Sequence, residues 1–448
     1  MLCALLIGTQ ARYACFHIPS IRILNMAKAL YKFSLVIFSV VLSVAANAQQ
    51  DRSMLDIYRD SIYQIVVNEN ETGNKSALGS GFQVSSDGLI ITNYHVVSGY
   101  VFEPDQRWLQ YVDSEGQTGS LELVDFDVIN DVALLRAEGV GTDYFQVSQS
   151  SYRKGDRIFA MGNPHDYGML VVDGAYNGIA ENSHIEKILF SGSLNSGMSG
   201  GPAVDLQGNI VGVNVATAGS QLSFLVPADK VINLLADTDR PASKNQYMAH
   251  IGAQIESFQS EYYDRLLDRA WPDQPLGDEA HVVGELASDM SCWGNDNQNR
   301  PNAEDIRILE LFCNNGNHTY LQNRFNANQL HYSFYYYETE TLTSKQFHDA
   351  IGEQVFLPDN QAPERYVTNF QCQQNYVDIG EELDGDSFRQ AGLCFRAYNE
   401  FPGLYDVLYY LFQGKDTQAL VSHFTLSAVT RDIALEFSKK FMGVAKWN

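Results

Sequence analysis

The sequence predicts an all-β fold over residues 49–236, followed by an α+β domain over residues 249–448. Three observations carry this reading. Residues 60–228 are a succession of short apolar runs punctuated by glycine, which suits a barrel or a sandwich. That texture stops at a polar stretch, residues 237–248, containing Pro241 and read as a linker. Beyond it the chain mixes tyrosine-rich strand patterns with helical ones, and past residue 48 cysteine occurs only there.

The chain has 448 residues, 45% apolar and 19% charged, enough to pack cores and too apolar for a disordered chain. With 30 Lys+Arg against 54 Asp+Glu, the net charge is −24. An acidic surface of that size repels phosphate backbones and anionic lipid, so nucleic-acid and membrane-surface partners are disfavoured.

Residues 1–48 carry Arg12, Arg22, Lys28 and Lys32 and no acidic residue. Lys28 and Lys32 precede an apolar run, Phe33 to Ala45, and Ala46-Asn47-Ala48 follows it. This reads as a signal peptide beginning at Met26 and cut after Ala48, the apolar run being short for a membrane span. Residues 1–25 precede a complete signal and read as upstream of the true start. The product is expected in the periplasm or outside the cell, with no stable membrane insertion. Removing 48 residues with their four basic groups leaves 400 residues and moves the net charge from −24 to −28.

Strands are expected at Ile65-Val66-Val67, Leu89 to Thr92, Val132 to Leu135, Ile158 to Met161 and Ile210 to Val213, with turns at Asp87-Gly88 and Gln207-Gly208-Asn209. Pro227 to Leu235 is helical, with the proline in its first turn. In the second part, Ile255 to Leu267 and Val429 to Phe441 read as helices, and Ile306 to Phe312, Leu330 to Tyr337 and Val407 to Phe412 as strands. Cys292, Cys313, Cys372 and Cys394 make an even set for an oxidising compartment. Cys292 and Cys313 are 21 apart and Cys372 and Cys394 are 22 apart, each pair preceding aromatic strands and a threonine-led helix, Thr343 to Gly352 and Thr430 to Gly443. This suggests two repeats, each with its own disulfide. No pair is spaced CxxC, so neither a zinc site nor another metal is expected.

Three segments carry chemistry: Gly79-Ser80-Gly81-Phe82 with Thr92-Asn93-Tyr94-His95-Val96-Val97; Asn130-Asp131-Val132-Ala133-Leu134-Leu135; and Asn195-Ser196-Gly197-Met198-Ser199-Gly200-Gly201-Pro202. A serine hydroxyl is a poor nucleophile until a base takes its proton, and the base needs an acid to fix its tautomer. His95 is expected to end a strand, Asp131 to open one, and Ser199 to sit in a glycine-rich turn. The backbone N–H groups of Gly197 and Ser199 are the natural oxyanion donors. His165 and His184 lack the strand context of His95 and read as loop residues.

In these segments the chain resembles the trypsin-like serine peptidases of the chymotrypsin fold, in particular the bacterial Deg-type (high-temperature-requirement) branch, over about residues 60–236. The resemblance implies two perpendicular six-stranded barrels with the active site between them, and so a chymotrypsin-like double β-barrel ahead of the α+β domain. It implies His95 as base, Asp131 as orienting acid and Ser199 as nucleophile, acting on polypeptide substrates without a cofactor. It also places Ser193 at the base of the specificity pocket, with Leu194, Val215, Ala216, Thr217 and the Ser223 region as walls. Ser193 is neutral, so a buried substrate cation would stay unpaired, and cleavage after small or medium apolar residues is expected. Met198 stands where animal digestive enzymes carry an acid, so activation by a freed N-terminus is not expected. No carboxylate-binding loop typical of a PDZ domain follows residue 240. Two alternatives compete. Gly197-Met198-Ser199-Gly200-Gly201 fits the nucleophile elbow of α/β-hydrolases, but Pro202 and a glycine turn follow where that elbow needs a helix. The barrels could also be a catalytically silent scaffold whose C-terminal domain binds a partner.

Overall fold

The computed structural model describes residues 57–164, 168–217, 222–237, 240–297, 305–316, 318–351, 362–377 and 388–447. The expected signal peptide, His165 and residues 218–221 lie outside them. Six strands, β1 (Ile62–Glu69), β2 (Lys75–Gln83), β3 (Leu89–Thr92), β4 (Arg107–Val112), β5 (Thr118–Asp127) and β6 (Val132–Ala137), close into a barrel in the order β1-β2-β3-β6-β5-β4. Six more, β7 (Arg157–Gly162), β8 (Leu170–Ile179), β9 (Ile188–Phe190), β10 (Pro202–Val204), β11 (Ile210–Thr217) and β12 (Ser223–Pro227), close a second barrel in the order β10-β11-β12-β9-β8-β7. The five short apolar runs of the sequence are β1, β3, β6, β7 and β11. Their apolar side chains fill the barrels: Ile65, Val67, Ile90 and Leu135 in the first, and Ile158, Ala160 and Val211, with Leu225 of β12, in the second.

The chain departs from the expectation at His95. The strand stops at Thr92, and Tyr94–Phe102 is a helix that carries His95 in its first turn. Asn93 stands at the helix N-cap in extended conformation and makes no capping bond with its side chain. The Asp131 carboxylate, 36 residues away, accepts the His95 N–H instead. A nonlocal acceptor thus satisfies a donor that a helix start leaves open.

Pro227 is the N-cap of the next helix, Ala228–Ala236, rather than part of its first turn. The helix expected from Ile255 begins earlier and spans Lys244–Leu267, taking in the last residues of the stretch read as a linker. Its buried residues, Tyr247, Met248, Ile251, Ile255, Gln259, Tyr262, Tyr263 and Leu266, recur every three or four positions and form one face. The first half of that face packs into the core of the first barrel. Tyr262, Tyr263 and Leu266 pack into the core beyond.

Twelve further strands follow: β13 (Asp273–Leu276), β14 (Ala280–Val283), β15 (Ser291–Asp296), β16 (Arg307–Asn314), β17 (Thr319–Gln322), β18 (Phe325–Ala327), β19 (Leu330–Glu338), β20 (Gln371–Tyr376), β21 (Phe388–Ala397), β22 (Leu404–Lys415), β23 (Gln418–Thr430) and β24 (Lys446–Trp447). Seven of them form one antiparallel sheet, β15-β16-β19-β23-β22-β21-β20. The helices Ser344–Ile351 and Arg431–Met442 follow β19 and β23, the second capped by the Thr430 hydroxyl. Disulfides join Cys292 to Cys313 and Cys372 to Cys394, as the spacing suggests. Each bridges residues directly opposite in neighbouring strands, β15/β16 on one flank of the sheet and β20/β21 on the other. β17 and β18 form a separate hairpin that leaves the sheet and packs on the first barrel.

Candidate active site

The Gly197–Gly201 turn is shaped by glycine. Gly200 has φ +85°, and a Cβ there would lie 2.2 Å from the Ser80 carbonyl oxygen and 2.3 Å from Thr92 Oγ1, so no other residue fits without moving backbone. The turn is then tied down from both barrels. Ser80 donates its N–H to the Ser199 carbonyl at 2.7 Å and its hydroxyl to the Gly197 carbonyl at 2.7 Å. Asn214, fully buried on β11, exchanges backbone bonds with Gly200 and Gly201, and its amide donates to the Met161 carbonyl at 2.9 Å. Met198 is buried in the second barrel, which turns the residues on either side of it toward the cleft.

Within this turn the Met198 N–H donates to Asn195 and the Gly200 N–H to Asn214. The N–H groups of Gly197 and Ser199 have no acceptor among the described residues. They are the two donors that the sequence singles out for an oxyanion.

Asp131, in the turn just before β6, has φ +58°, a left-handed conformation that costs a non-glycine residue about 1–2 kcal/mol. Asn93 holds it there by donating its side-chain amide to the Asp131 carbonyl at 2.7 Å. The carboxylate faces the helix start. Oδ1 accepts the His95 backbone N–H at 2.8 Å, and Oδ2 accepts His95 Nδ1–H at 2.7 Å. Because a carboxylate only accepts, this pair leaves Nε2 as the basic nitrogen. Burial lowers the imidazole pKa, but the charge of Asp131 and its hydrogen bond outweigh it, and the net shift is upward from 6.5.

The structure brings Ser199 against this helix. A Cβ on Gly79 would lie 2.6 Å from Val96, the neighbour of His95, and 3.0 Å from the Ser199 carbonyl. The Ser199 hydroxyl donates to the Val215 carbonyl at 2.7 Å. Of the pocket residues read from the sequence, Leu194 is buried and Ser193 is exposed. Ser223, fully buried, donates to the Gly192 carbonyl and accepts the Leu194 N–H, joining two of those walls. Val215 is half-buried, and the backbone of Ala216 and Thr217 pairs with Phe224 and Ser223.

Sequence reasoning did not find the roles of Ser80, Asn93 or Asn214. Ser80 and Asn93 sit inside quoted motifs, but their partners lie far along the chain. His184 packs between the rings of Phe258 and Tyr262 at 4.9 and 4.7 Å, a structural setting. A separate cleft of about 510 Å³ lies behind Asn130. Its walls set Glu186, Glu261 and Asp289 against Lys230, Arg265 and Arg269, and neither His95 nor Ser199 reaches it. Among the described residues no cluster of His, Cys, Asp and Glu is placed to hold a metal, and no helix is long and apolar enough to cross a membrane.

Residues 79–213 match the family model described as "Trypsin-like peptidase domain". The chain is similar to the serine protease HTRA1 of Xenopus tropicalis, 33% identical over 181 residues that make up 38% of each chain. It is also similar to the chloroplastic protease Do-like 5 of Arabidopsis thaliana, 33% identical over 191 residues, which are 37% of this chain and 58% of the relative. The chain therefore spans less than two thirds of the length of these curated relatives. Among solved structures, Deg5 aligns at 27% identity with a TM-score of 0.37, covering 42% of this chain and 92% of its own.

Proposed function

We propose, for a chain that carries a trypsin-like peptidase domain and is similar to Deg-type serine proteases, that it is an exported serine endopeptidase. The observation that carries this reading is the 2.7 Å bond from His95 Nδ1 to a carboxylate that also fixes the backbone of the same histidine. His95 Nε2 takes the proton of Ser199 as its oxygen attacks the scissile carbonyl, and returns it to the leaving amine. The acyl-enzyme is then hydrolysed by water through the same base. The developing oxyanion lies against the Gly197 and Ser199 N–H groups, which have no acceptor among the described residues and so no other bond to break. For the first step the Ser199 side chain must leave the Val215 carbonyl and turn to the imidazole, a rotation about one side-chain bond.

The polypeptide substrate is cut after small or medium apolar residues, with Ser193, Leu194, Val215, Ala216 and Thr217 shaping the pocket. A peptide-library digest dominated by cleavage after Arg or Lys would sink that part of the reading. The two disulfides accord with a periplasmic or secreted chain. One observation favours a second reading, a silent scaffold: the Ser199 hydroxyl is engaged by Val215. A fluorophosphonate probe separates the two. The peptidase is labelled, it turns over casein, and Ser199→Ala abolishes both while the protein stays folded. Casein turnover by Ser199→Ala at the wild-type rate would remove Ser199 from the chemistry.

A further inference from the structure

Part of the wall behind the catalytic histidine comes from outside the barrels. The helix Tyr94–Phe102 buries Val97, Val101 and Phe102 in a cluster that includes Leu321, Phe325 and Ala327 of the hairpin β17–β18, together with Tyr366 and Phe401. Phe102 meets the rings of Phe325 and Tyr366 at 6.2 and 5.4 Å. Tyr94, the first residue of the helix and fully buried, donates its hydroxyl to the Leu321 carbonyl at 2.9 Å across 227 residues of sequence. Between these anchors, Tyr320 sets its ring edge-on to the His95 imidazole, with centroids 6.2 Å apart and planes at 83°. Tyr320 is itself half-buried, and the imidazole beside it keeps 30% of its surface open.

Each contact acts on a different freedom of His95. The Tyr94 bond fixes where the helix starts, and the apolar cluster fixes its azimuth. The Tyr320 ring limits swinging of the imidazole about its own side-chain bonds, while Asp131 holds only the Nδ1 edge. A base must stay within hydrogen-bond reach of the proton it abstracts, so loose support behind it appears in turnover rather than in binding.

We propose that the hairpin β17–β18 of the C-terminal region is part of the catalytic apparatus, with Tyr320 a positioning residue that holds the His95 imidazole. The proposal rests on His95 acting as the base of a peptidase. It makes the C-terminal region an internal requirement for turnover, and it assigns that requirement to one turn of chain.

The test uses full-length Tyr320→Ala, Tyr320→Phe and Tyr94→Phe proteins, a fluorogenic apolar peptide, and NMR titration of ¹⁵N-labelled histidine. Displacement of a catalytic group by about 1 Å costs roughly 10²-fold, so Tyr320→Ala is expected to lose about that factor in kcat while KM changes little. Tyr320→Phe keeps the ring edge and restores kcat. Tyr94→Phe keeps the ring and loses only the bond to Leu321, and kcat falls by about tenfold, the equivalent of one hydrogen bond. In Tyr320→Ala the imidazole loses a neighbouring ring and gains water. Since burial is what holds its pKa down, His95 then titrates higher than in the wild type. Wild-type kcat in Tyr320→Ala, or a loss that Tyr320→Phe does not restore, overturns the proposal. So does an unchanged His95 titration, even in a protein that never cleaves peptide. An inactive wild type that no fluorophosphonate labels would overturn the peptidase reading instead, leaving the NMR arm to decide the positioning role.

Discussion

Replacing Asp131 by asparagine isolates the position of one proton. The carboxylate accepts two N–H groups of the same residue, the backbone one at 2.8 Å and Nδ1–H at 2.7 Å. Asparagine offers one oxygen and one NH₂ in nearly the same volume. The backbone N–H cannot turn away, so the amide oxygen stays opposite it and the NH₂ faces Nδ1. Nδ1 must then accept, and the ring proton moves to Nε2, the atom proposed to receive the serine proton. Fold and charge-free packing survive, but the base presents its protonated side to the nucleophile. Loss of the correct tautomer in an acid–base–nucleophile site costs about 10⁴-fold in kcat, equivalent to about 5 kcal/mol of barrier. Stability should drop far less, by about 1–3 kcal/mol for a charge-assisted bond made weaker. Steady-state kinetics on a fluorogenic peptide near neutral pH, with thermal unfolding alongside, separates the two effects. A variant that keeps kcat within tenfold of the wild type would refute the assignment of Asp131 as the group that sets the tautomer.

Three further outcomes are expected. Because the folded-state pKa of His95 lies above 6.5, the stabilisation from its protonated form is complete below pH 6.5 and fades as pH rises through the folded value. Activity needs the neutral ring and so rises across that same interval, and a pH profile of kcat/KM whose acidic limb had its midpoint below 6.5 would contradict this. Gly200→Ala puts a Cβ 2.2 Å from the Ser80 carbonyl at φ +85°, and the left-handed strain alone is worth about 1–3 kcal/mol; a melting temperature equal to that of the wild type would show that the turn is not built as described. Each disulfide closes a loop, 21 residues for Cys292–Cys313 and 22 for Cys372–Cys394, worth about 3 kcal/mol in the chain-entropy model. Urea unfolding with and without reductant should show the loss, and peptide mapping without reductant that linked Cys292 to Cys372 would defeat the pairing.

How much of this was legible in the sequence depends on how local each cause is. The runs that became β3, β6 and β11 read as strands because their apolar side chains and bounding turns are adjacent in the chain. The disulfide pairing followed from spacing, since partners in neighbouring strands of a hairpin-like pair stay close in sequence. The helix that carries His95 did not read as a helix. Its Val96-Val97 run suits a strand, and the acceptor for its open N–H is a carboxylate in the turn before β6. Ser80 and Asn214 looked like ordinary motif polar residues, because what they hold lies across the cleft. Residues 244–248 read as linker from their polarity, yet Tyr247 and Met248 bury against the first barrel and draw the helix back over them. Tyr320 had no signal at all. It is one tyrosine in a chain with 25, and only the tertiary fold sets it beside an imidazole.

The two disulfides sit on the outer flanks of the seven-stranded sheet, and the strands they pin, β15 and β20, are its exposed edges. An edge strand is the part of a sheet most easily lifted away, and an extended segment is the form in which chains add to one another's strands. On the proposed peptidase reading the protein shares its compartment with other copies of itself, so its own frayed edges are the first candidates for digestion. Each bridge ties an edge strand to its neighbour near one end. Unzipping from that end is blocked, and any segment that lifts stays tethered beside its place in the sheet. On that reading the staples guard the molecule from its siblings as well as holding its fold, and reduction should register first as self-digestion within β15 and β20.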